Sequence, residues 1–477
     1  MVKFAIRYSP KRLVVLMTIV MVLLAGVGTT LLYAGPMSGG ALESESGVAT
    51  CATSVNDTTA SGGSAVRFAT SGCDSSNPLS SLPKIAWYGG NNYWSQYPDA
   101  VAAGWNQPTF FPVGVFWDFW PDGNGTDAHN AVQFDKDHGI NFYTQGNTTQ
   151  DACVLKDIGG MSWLGGPGSI QNLNTCGATV WPGNYLEDEI DGTSGSNSAA
   201  FTKLSQVSTT ARQQTPNKFI GVNYTSIPIQ IWTPDVDGER YVNDTFADMI
   251  STDDYLFSTP NKCNAGNPNW WQYIGPQPLS LANCRQGQSY GRLTESLMMR
   301  DTADSTLKPL SAFIDIYGGA DPAVTVQTPN DIKGAVVSNL IHGAGFIIWF
   351  PLSFYPDCST NRLMDASVPA CAAAFTAAAG DVNNQVKAWA PILNTQSYQH
   401  TFGPNLDTML KWYNGSAYIF AMTDGGTGSR TFTLPSGISS PSSVTETISG
   451  RTLTVSAGQF TDTFTNNYDY RVYRITP

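Results

Sequence analysis

The chain reads as an α/β protein: a (β/α)8 TIM barrel followed by a small antiparallel β-sandwich domain. Two observations carry this expectation. Between Leu82 and Gln396, eight strand-length runs rich in Val, Ile, Phe, Tyr and Trp alternate with longer segments, several of them at helical spacing. Beyond Gln396 the pattern changes to short alternating apolar and polar runs, broken by Gly, Asn and Ser. Eight strand–crossover units in a stretch of this length match a closed barrel in size and order. A doubly wound open sheet is the competing architecture. It usually carries a Gly-rich phosphate turn after its first strand, whereas here the first strand runs into WDFWPDGNG.

The expected strands are Phe110–Phe116, Ile140–Thr144, Met161–Leu164, Val180–Leu186, Lys218–Asn223, Asp254–Phe257, Leu310–Ile314 and Gly345–Phe350. Expected helices include Ser198–Thr215, Ser289–Ala303 and Asn330–His342. In the last of these, Ile332, Val336, Val337, Leu340 and Ile341 fall on one helical face, Pro329 sits at the start and Gly343 serves as a stop. The tail from residue 396 to 477 is expected as the sandwich, with Tyr470–Ile475 closing it.

The N-terminus reads as a targeting segment. Lys3, Arg7, Lys11 and Arg12 precede an uncharged run from Leu13 to Ala34, long enough to span a bilayer. Leu32-Tyr33-Ala34 lacks the small residue a cleavage site wants three positions before the cut. Residues 1–34 are therefore expected as an anchor in preference to a cleaved signal peptide. Residues 35–81 read as a linker containing a hairpin, and 82–395 as the barrel. The expected location is extracellular, membrane-anchored or secreted.

Eight cysteines fit an exported protein. They fall in four local couples, Cys51/Cys73, Cys153/Cys176, Cys263/Cys284 and Cys358/Cys371, with no CxxC spacing. Nearest-neighbour disulfides are the simplest arrangement, although eight cysteines admit 105 pairings. The net charge of −12 argues against a nucleic-acid partner, which needs a basic face. The histidines His129, His138, His342 and His400 are scattered, without an HExxH, so no catalytic zinc and no other cofactor is called for. No GxSxG elbow supports Ser-His-Asp chemistry.

In a barrel, chemistry belongs to the loops after the strand C-termini. The stretch TVWPGNYLEDEID, Thr179–Asp191, ends there in Glu187, Asp188, Glu189 and Asp191. Trp117, Asp118 and Trp120 follow the first strand, Asn223 and Tyr224 end the fifth, and Asp315 and Tyr317 follow the seventh. Trp349 lies at the eighth, while Asp253 and Asp254 fall at the start of the expected sixth strand and are weaker candidates. Carboxylates and aromatic rings on one rim suit cleavage of a sugar: one acid protonates the leaving oxygen, a second carboxylate attacks or activates water, and flat rings stack on pyranose faces.

The segments YLEDE, KPLSAFID and TPNDIKGAVVSNLIHGAGFIIWFPLSF, in that order, resemble the barrel glycoside hydrolases of the clan A type. The tail GRTLTVSAGQFTDTFTNNYDYRVYRI is similar to the β-domain that follows many such barrels. The resemblance covers roughly Leu82 to Pro477 and implies an acid/base at Glu189 and a nucleophile or base at Asp315. Their expected places at the strand ends put Trp117, Asp118, Asn223, Tyr224, Tyr317 and Trp349 against an oligo- or polysaccharide substrate. Two positions depart from the pattern. Asp188 stands where Asn is common, and Asp315 where Glu is. These departures keep a rival open, a non-catalytic cell-surface protein that binds glycans on the same barrel.

Overall fold

The computed structural model describes residues 77–229, 236–257, 263, 282–304, 306–316, 328–351 and 370–477, with two further strands at 52–56 and 64–68. The chain divides into two compact units, Met1–Cys73 and Asp74–Pro477. In the first unit, β1 (Ala52–Asn56) pairs antiparallel with β2 (Ser64–Phe68), from Ala52 against Phe68 to Asn56 against Ser64. This is the hairpin expected between Cys51 and Cys73. Those two cysteines, Cys358 and the side chain of Cys371 lie outside the described residues, as does the expected anchor 1–34. Among the described residues no helix is long and apolar enough to cross a membrane.

The second unit begins with a parallel barrel. Its strands are β3 (Val113–Phe116), β4 (Phe142–Thr144), β5 (Ser162–Leu164), β6 (Gly183–Tyr185), β7 (Phe219–Tyr224) and β8 (Met249–Thr252), then β9 (Leu310–Ala312), β10 (Ile314–Asp315) and β11 (Ile347–Phe350). The sheet order is β10-β11-β3-β4-β5-β6-β7-β8-β9. β9 and β10 are consecutive halves of one stave, separated only at Phe313, so eight staves close on themselves as expected. β11 completes the ring, with Ile347 against Val113 on one side and Ile314 against Trp349 on the other.

Several strands start later than their apolar runs. β3 begins just after Pro112 and β6 just after Pro182, because proline has no N–H to give the ladder. The sixth stave is a correction. The strand is Met249–Thr252, and Asp254–Phe257 is a turn after it whose Tyr255, Leu256 and Phe257 are buried. Burial, not pairing, explains that apolar run.

Side chains alternate across the barrel wall. Phe116, Phe142, Leu164, Tyr185, Phe219, Met249, Phe313, Ile348 and Phe350 fill the interior, and Trp94 and Trp105 belong to the same cluster. Two glycines make room for the rings. A Cβ on Gly114 would stand 2.1 Å from the Phe142 ring, and one on Gly183 would stand 2.4 Å from Phe219. The outward residues Val113, Val115, Ile220, Val222, Ile250, Ile314 and Ile347 pack under the helices.

The helices match the sequence signals closely. Asn197–Gln214 is capped by Ser196, whose Oγ accepts from the Ala199 N–H. Pro329–Ile341 starts with a capping box, in which Thr328 and Asp331 satisfy each other's backbone N–H, and Pro329 sits at the first position. Gly291–Asp301 follows the sixth stave. The long Ala370–Leu393 helix was not among the expected elements.

Eight antiparallel strands follow: β12 (Ser397–Tyr398), β13 (Leu406–Tyr413), β14 (Ser416–Thr423), β15 (Gly428–Thr433), β16 (Ser443–Glu446), β17 (Thr452–Thr454), β18 (Gln459–Phe464) and β19 (Arg471–Ile475). They form a six-stranded sheet, β12-β13-β14-β19-β16-β17, and a separate pair, β15-β18. Their shared core includes Phe432, Phe460, Phe464 and Tyr473, and also Leu79 from the far end of the sequence. The Asn77 amide donates to the Tyr398 hydroxyl at 2.8 Å, so this end of the expected linker is built into the C-terminal sheet. The disulfides Cys153–Cys176 and Cys263–Cys284 form between nearest neighbours, as expected.

Candidate active site at the barrel mouth

Backbone strain marks one rim of the barrel. The residues just after β3, β4 and the β6 turn, Trp117, Gln145 and Glu189, have left-handed φ values of 58°, 59° and 49°. Such conformations in non-glycine residues cost of order 1–3 kcal/mol and concentrate where function over-determines the chain. All three lie at strand C-termini, the end at which barrels place their chemistry.

The four acids after β6 take different roles. Glu187 is exposed and pairs with Lys203 at 2.5 Å on the surface. Asp191 is buried, and its carboxylate accepts from the Thr225 N–H at 3.1 Å and from the Thr225 hydroxyl at 2.6 Å, tying this turn to the end of β7. Asp188 and Glu189 remain, both half-buried, in the turn itself. The Glu189 N–H donates to the Asn223 carbonyl at 3.2 Å. The Asn223 side-chain amide donates to Asp188 Oδ1 at 3.0 Å. Burial raises the Asp188 carboxyl to about 6, against the lowering effect of Asn223 and with help from the Glu189 and Asp191 charges.

The next staves supply the facing wall. Asn223 Oδ1 accepts from the Ser251 hydroxyl at 3.1 Å, and Ser251 shares a hydrogen bond of 2.9 Å with the Tyr185 hydroxyl inside the barrel. With β8 ending at Thr252, Asp253 and Asp254 stand at the C-terminal end of the sixth stave, where the sequence had put them at its start. Tyr255 follows and stacks on Phe350, with ring centroids 4.8 Å apart. Burial raises the Tyr255 hydroxyl far above its ordinary value, and the charges of Asp253, Asp315, Asp188 and Glu189 push it further. It therefore stays protonated and can donate. Asp315 is fully buried at the end of β10 and accepts a hydrogen bond from the Tyr290 hydroxyl. The Tyr290 oxygen also receives the Phe257 N–H at 3.2 Å, which links the Asp315 stave to the turn after β8.

The rim therefore gathers Trp117, Asp188, Glu189, Asn223 and Asp315 from the expected set. Trp117, just after β3 on the same rim, is 42% exposed. Three expected contacts lie elsewhere. Trp349 is fully buried in the layer under the helices, where its indole donates to Asn383 at 3.0 Å. Tyr224 is also fully buried on the outer face and packs on Tyr241, centroids 5.1 Å apart. Both point outward because alternation along a strand sends every second residue away from the barrel axis. Asp118 is buried, and its charge acts on the Tyr143 hydroxyl in the outer layer. Tyr317 lies outside the described residues. Tyr185, Ser251, Tyr255 and Tyr290 were missed, and Asp253 was undervalued. A sixth strand read at Met249–Thr252 would have brought Asp253 and Tyr255 to the rim. Among the described residues no group of three or more His, Cys, Asp or Glu side chains is placed to hold a metal ion.

No protein-family model matches the sequence, and no curated protein matches it either. Solved structures do share its outline. A maltotriose complex of an AmyP variant aligns over 79% of this chain and 98% of its own, with 9% identity and a TM-score of 0.46. The family 30 endoxylanase of Clostridium papyrosolvens C71 aligns over 84% and 98%, with 12% identity and a TM-score of 0.42. Amy13B of Eubacterium rectale aligns over 77% and 96%, with 9% identity and a TM-score of 0.44. At this level of similarity neither substrate nor mechanism carries over.

Proposed function

We propose that the protein is a glycoside hydrolase, acting on an oligo- or polysaccharide at the barrel mouth. The observation that carries this reading is that acids end three staves at one rim of the barrel: Asp188 and Glu189 after the fourth stave, Asp253 after the sixth and Asp315 on the seventh. Acids brought to one rim from three staves, with the exposed Trp117 ring following the first stave on that rim, suit protonating a leaving oxygen and attacking a sugar. In this reading Glu189 is the general acid/base and Asp315 the nucleophile or base. Trp117 stacks on a sugar ring, and Asn223 orients the acidic turn from below. The two disulfides support an extracellular setting, and the basic, apolar N-terminal segment supports a membrane anchor there.

The test is a panel of chromogenic glycosides and polysaccharides, run on the wild type, Glu189→Gln and Asp315→Asn. Each variant is expected to lose about 10²–10⁴-fold in turnover. Unchanged turnover in both sinks the assignment. The complete burial of Asp315 favours a second reading, a glycan-binding protein without hydrolysis. Glycan-array binding by a wild type inert on the whole panel would select it.

A further inference from the structure

We propose that the ends of the first two staves form a ledge that selects a neutral sugar: the Trp117 indole takes the face of the ring, while the Gln145 amide and the Thr144 hydroxyl bind its hydroxyl groups. The proposal rests on the saccharide reading of the barrel mouth and deepens it, naming the class of sugar and two residues that choose it.

β3 and β4 run parallel with Phe116 opposite Thr144, so Trp117 and Gln145 are the next residues on neighbouring staves. The two chains are still paired there, since the Trp117 N–H donates to the Thr144 carbonyl at 3.1 Å. Both residues take left-handed backbones, at φ 58° and 59°. Glycine would adopt that conformation without strain, so the side chains are what these positions retain. The ledge is firmly held. The Trp117 ring lies 5.6 Å, centroid to centroid, from Phe116, which fills the barrel interior. After Gln145 the chain has little room to shift. A Cβ on Gly146 would stand 2.3 Å from the Trp163 ring, and Gln150 Oε1 accepts the Asn147 N–H at 2.6 Å. The two loops are also tied together, the Gly123 N–H donating to the Thr149 carbonyl at 3.0 Å. In the order of staves, one strand separates the ledge from Asp315 and one separates it from the acidic turn after β6. On that side of the mouth the ledge lies between the two proposed acids.

The polar groups of the ledge are unmet. Thr144 points into the barrel, as Phe142 two residues before it does, and its buried hydroxyl has no hydrogen-bond partner among the described residues. The amide of half-buried Gln145 also makes no hydrogen bond among them. An unmet buried hydroxyl costs stability unless a ligand answers it. A sugar presents an apolar face and a rim of hydroxyl groups, each both donor and acceptor. The indole suits the face, and the amide and hydroxyl suit the rim. The charge of the sugar follows from the composition of the two loops. Residues 113–125 and 142–152 contain no Lys or Arg, and they bring Asp118, Asp122 and Asp151. A uronate or a sulfated sugar would meet carboxylates and no cation from these loops, so the ledge fits a neutral ring.

The test uses the full chain as wild type, Gln145→Gly and Thr144→Val, on an array of neutral and uronate-bearing oligosaccharides. Calorimetric titration then gives Kd for the best-bound neutral oligosaccharide, and scanning calorimetry gives Tm. The wild type is expected to bind neutral members about tenfold or more tighter than uronate-bearing ones. Gln145→Gly is expected to raise Kd about tenfold, the order of one or two lost hydrogen bonds, and Thr144→Val about threefold or more. Tm holds or rises in both, because glycine relieves the left-handed backbone and valine removes an unmet hydroxyl. Wild-type affinity in either variant overturns the proposal, as does a preference for uronates. Affinity lost together with Tm also overturns it, since the residues then serve the fold. A wild type that hydrolyses nothing, yet binds neutral glycans through Gln145 and Thr144, removes the hydrolase reading and leaves the ledge standing. Turnover abolished in Glu189→Gln, with Gln145→Gly binding as the wild type does, keeps the hydrolase and removes the ledge.

Discussion

Trp117 combines two costly properties, a left-handed backbone at φ 58° and a large ring that is 42% exposed. Neither helps the fold, since an exposed indole gains little from burial and the backbone would relax with glycine. Both follow if the ring is held out as a platform for a sugar. Trp117→Ala is expected to raise KM for an oligosaccharide roughly tenfold, the order of one ring-stacking contact, with kcat and thermal stability little changed. A fall in kcat with KM unchanged would remove Trp117 from the binding surface. The neighbouring acids show how far residue-scale reading reaches. The motif YLEDE announces a cluster of carboxylates, but nothing in its letters says that Lys203 pairs with Glu187 or that Thr225 binds Asp191. Those partners arrive from a helix and from the next stave.

At the scale of elements, the Gly291–Asp301 and Pro329–Ile341 helices are joined to β13 through His342. The ring lies 2.8 Å from Asp407 and 3.3 Å from Glu295, and Arg292 extends the cluster to Glu295 and Asp424. Burial pushes the imidazole down, but Asp407 and Glu295 outweigh it and raise His342 to about 9. A folded value above the unfolded one means this stabilisation is complete below about pH 6.5 and is lost as pH rises through 9. The loss is on the order of 3 kcal/mol. Calorimetry should show the wild-type Tm falling between pH 6.5 and 9.5 more steeply than that of His342→Gln. Parallel curves would mean that His342 is not charged in the fold. Helices were the most legible elements, because caps such as Thr328 and Asp331 act within one turn of chain. Strand ends were less so. The run DYLF reads as a strand from its letters, yet Tyr255 is buried by stacking on Phe350 from the eighth stave, and no local pattern carries that partner.

Over the whole molecule, the net charge of −12 sets the terms on which a polymer approaches the mouth. Raising ionic strength from about 20 to 500 mM is expected to increase kcat/KM several-fold on a uronate-bearing polysaccharide, and to leave a neutral one unchanged. Equal salt responses would place the acids away from the path of the substrate. The barrel was readable at this scale because eight apolar runs with crossovers have few ways to bury their faces. The division of the chain was less so: Leu79, in sequence part of a linker, shares a core with Phe432 and Phe460. The contact spans most of the chain and leaves no periodic trace.

What the sequence by itself determined is the kind of fold and the neighbourhood of the site. Hydrophobic period, proline positions and caps act over a few residues, and they suffice to order eight staves and to put acids at their C-terminal ends. The tertiary structure decided which residues meet. It turned Trp349 and Tyr224 outward, brought Asp253 and Tyr255 to the rim, and held Asp188 through Asn223 and Ser251. The register of one stave against the next sets those contacts, and a slip of one residue exchanges the two faces of a strand. Register is fixed by the packing of the closed barrel, to which distant parts of the chain contribute at once.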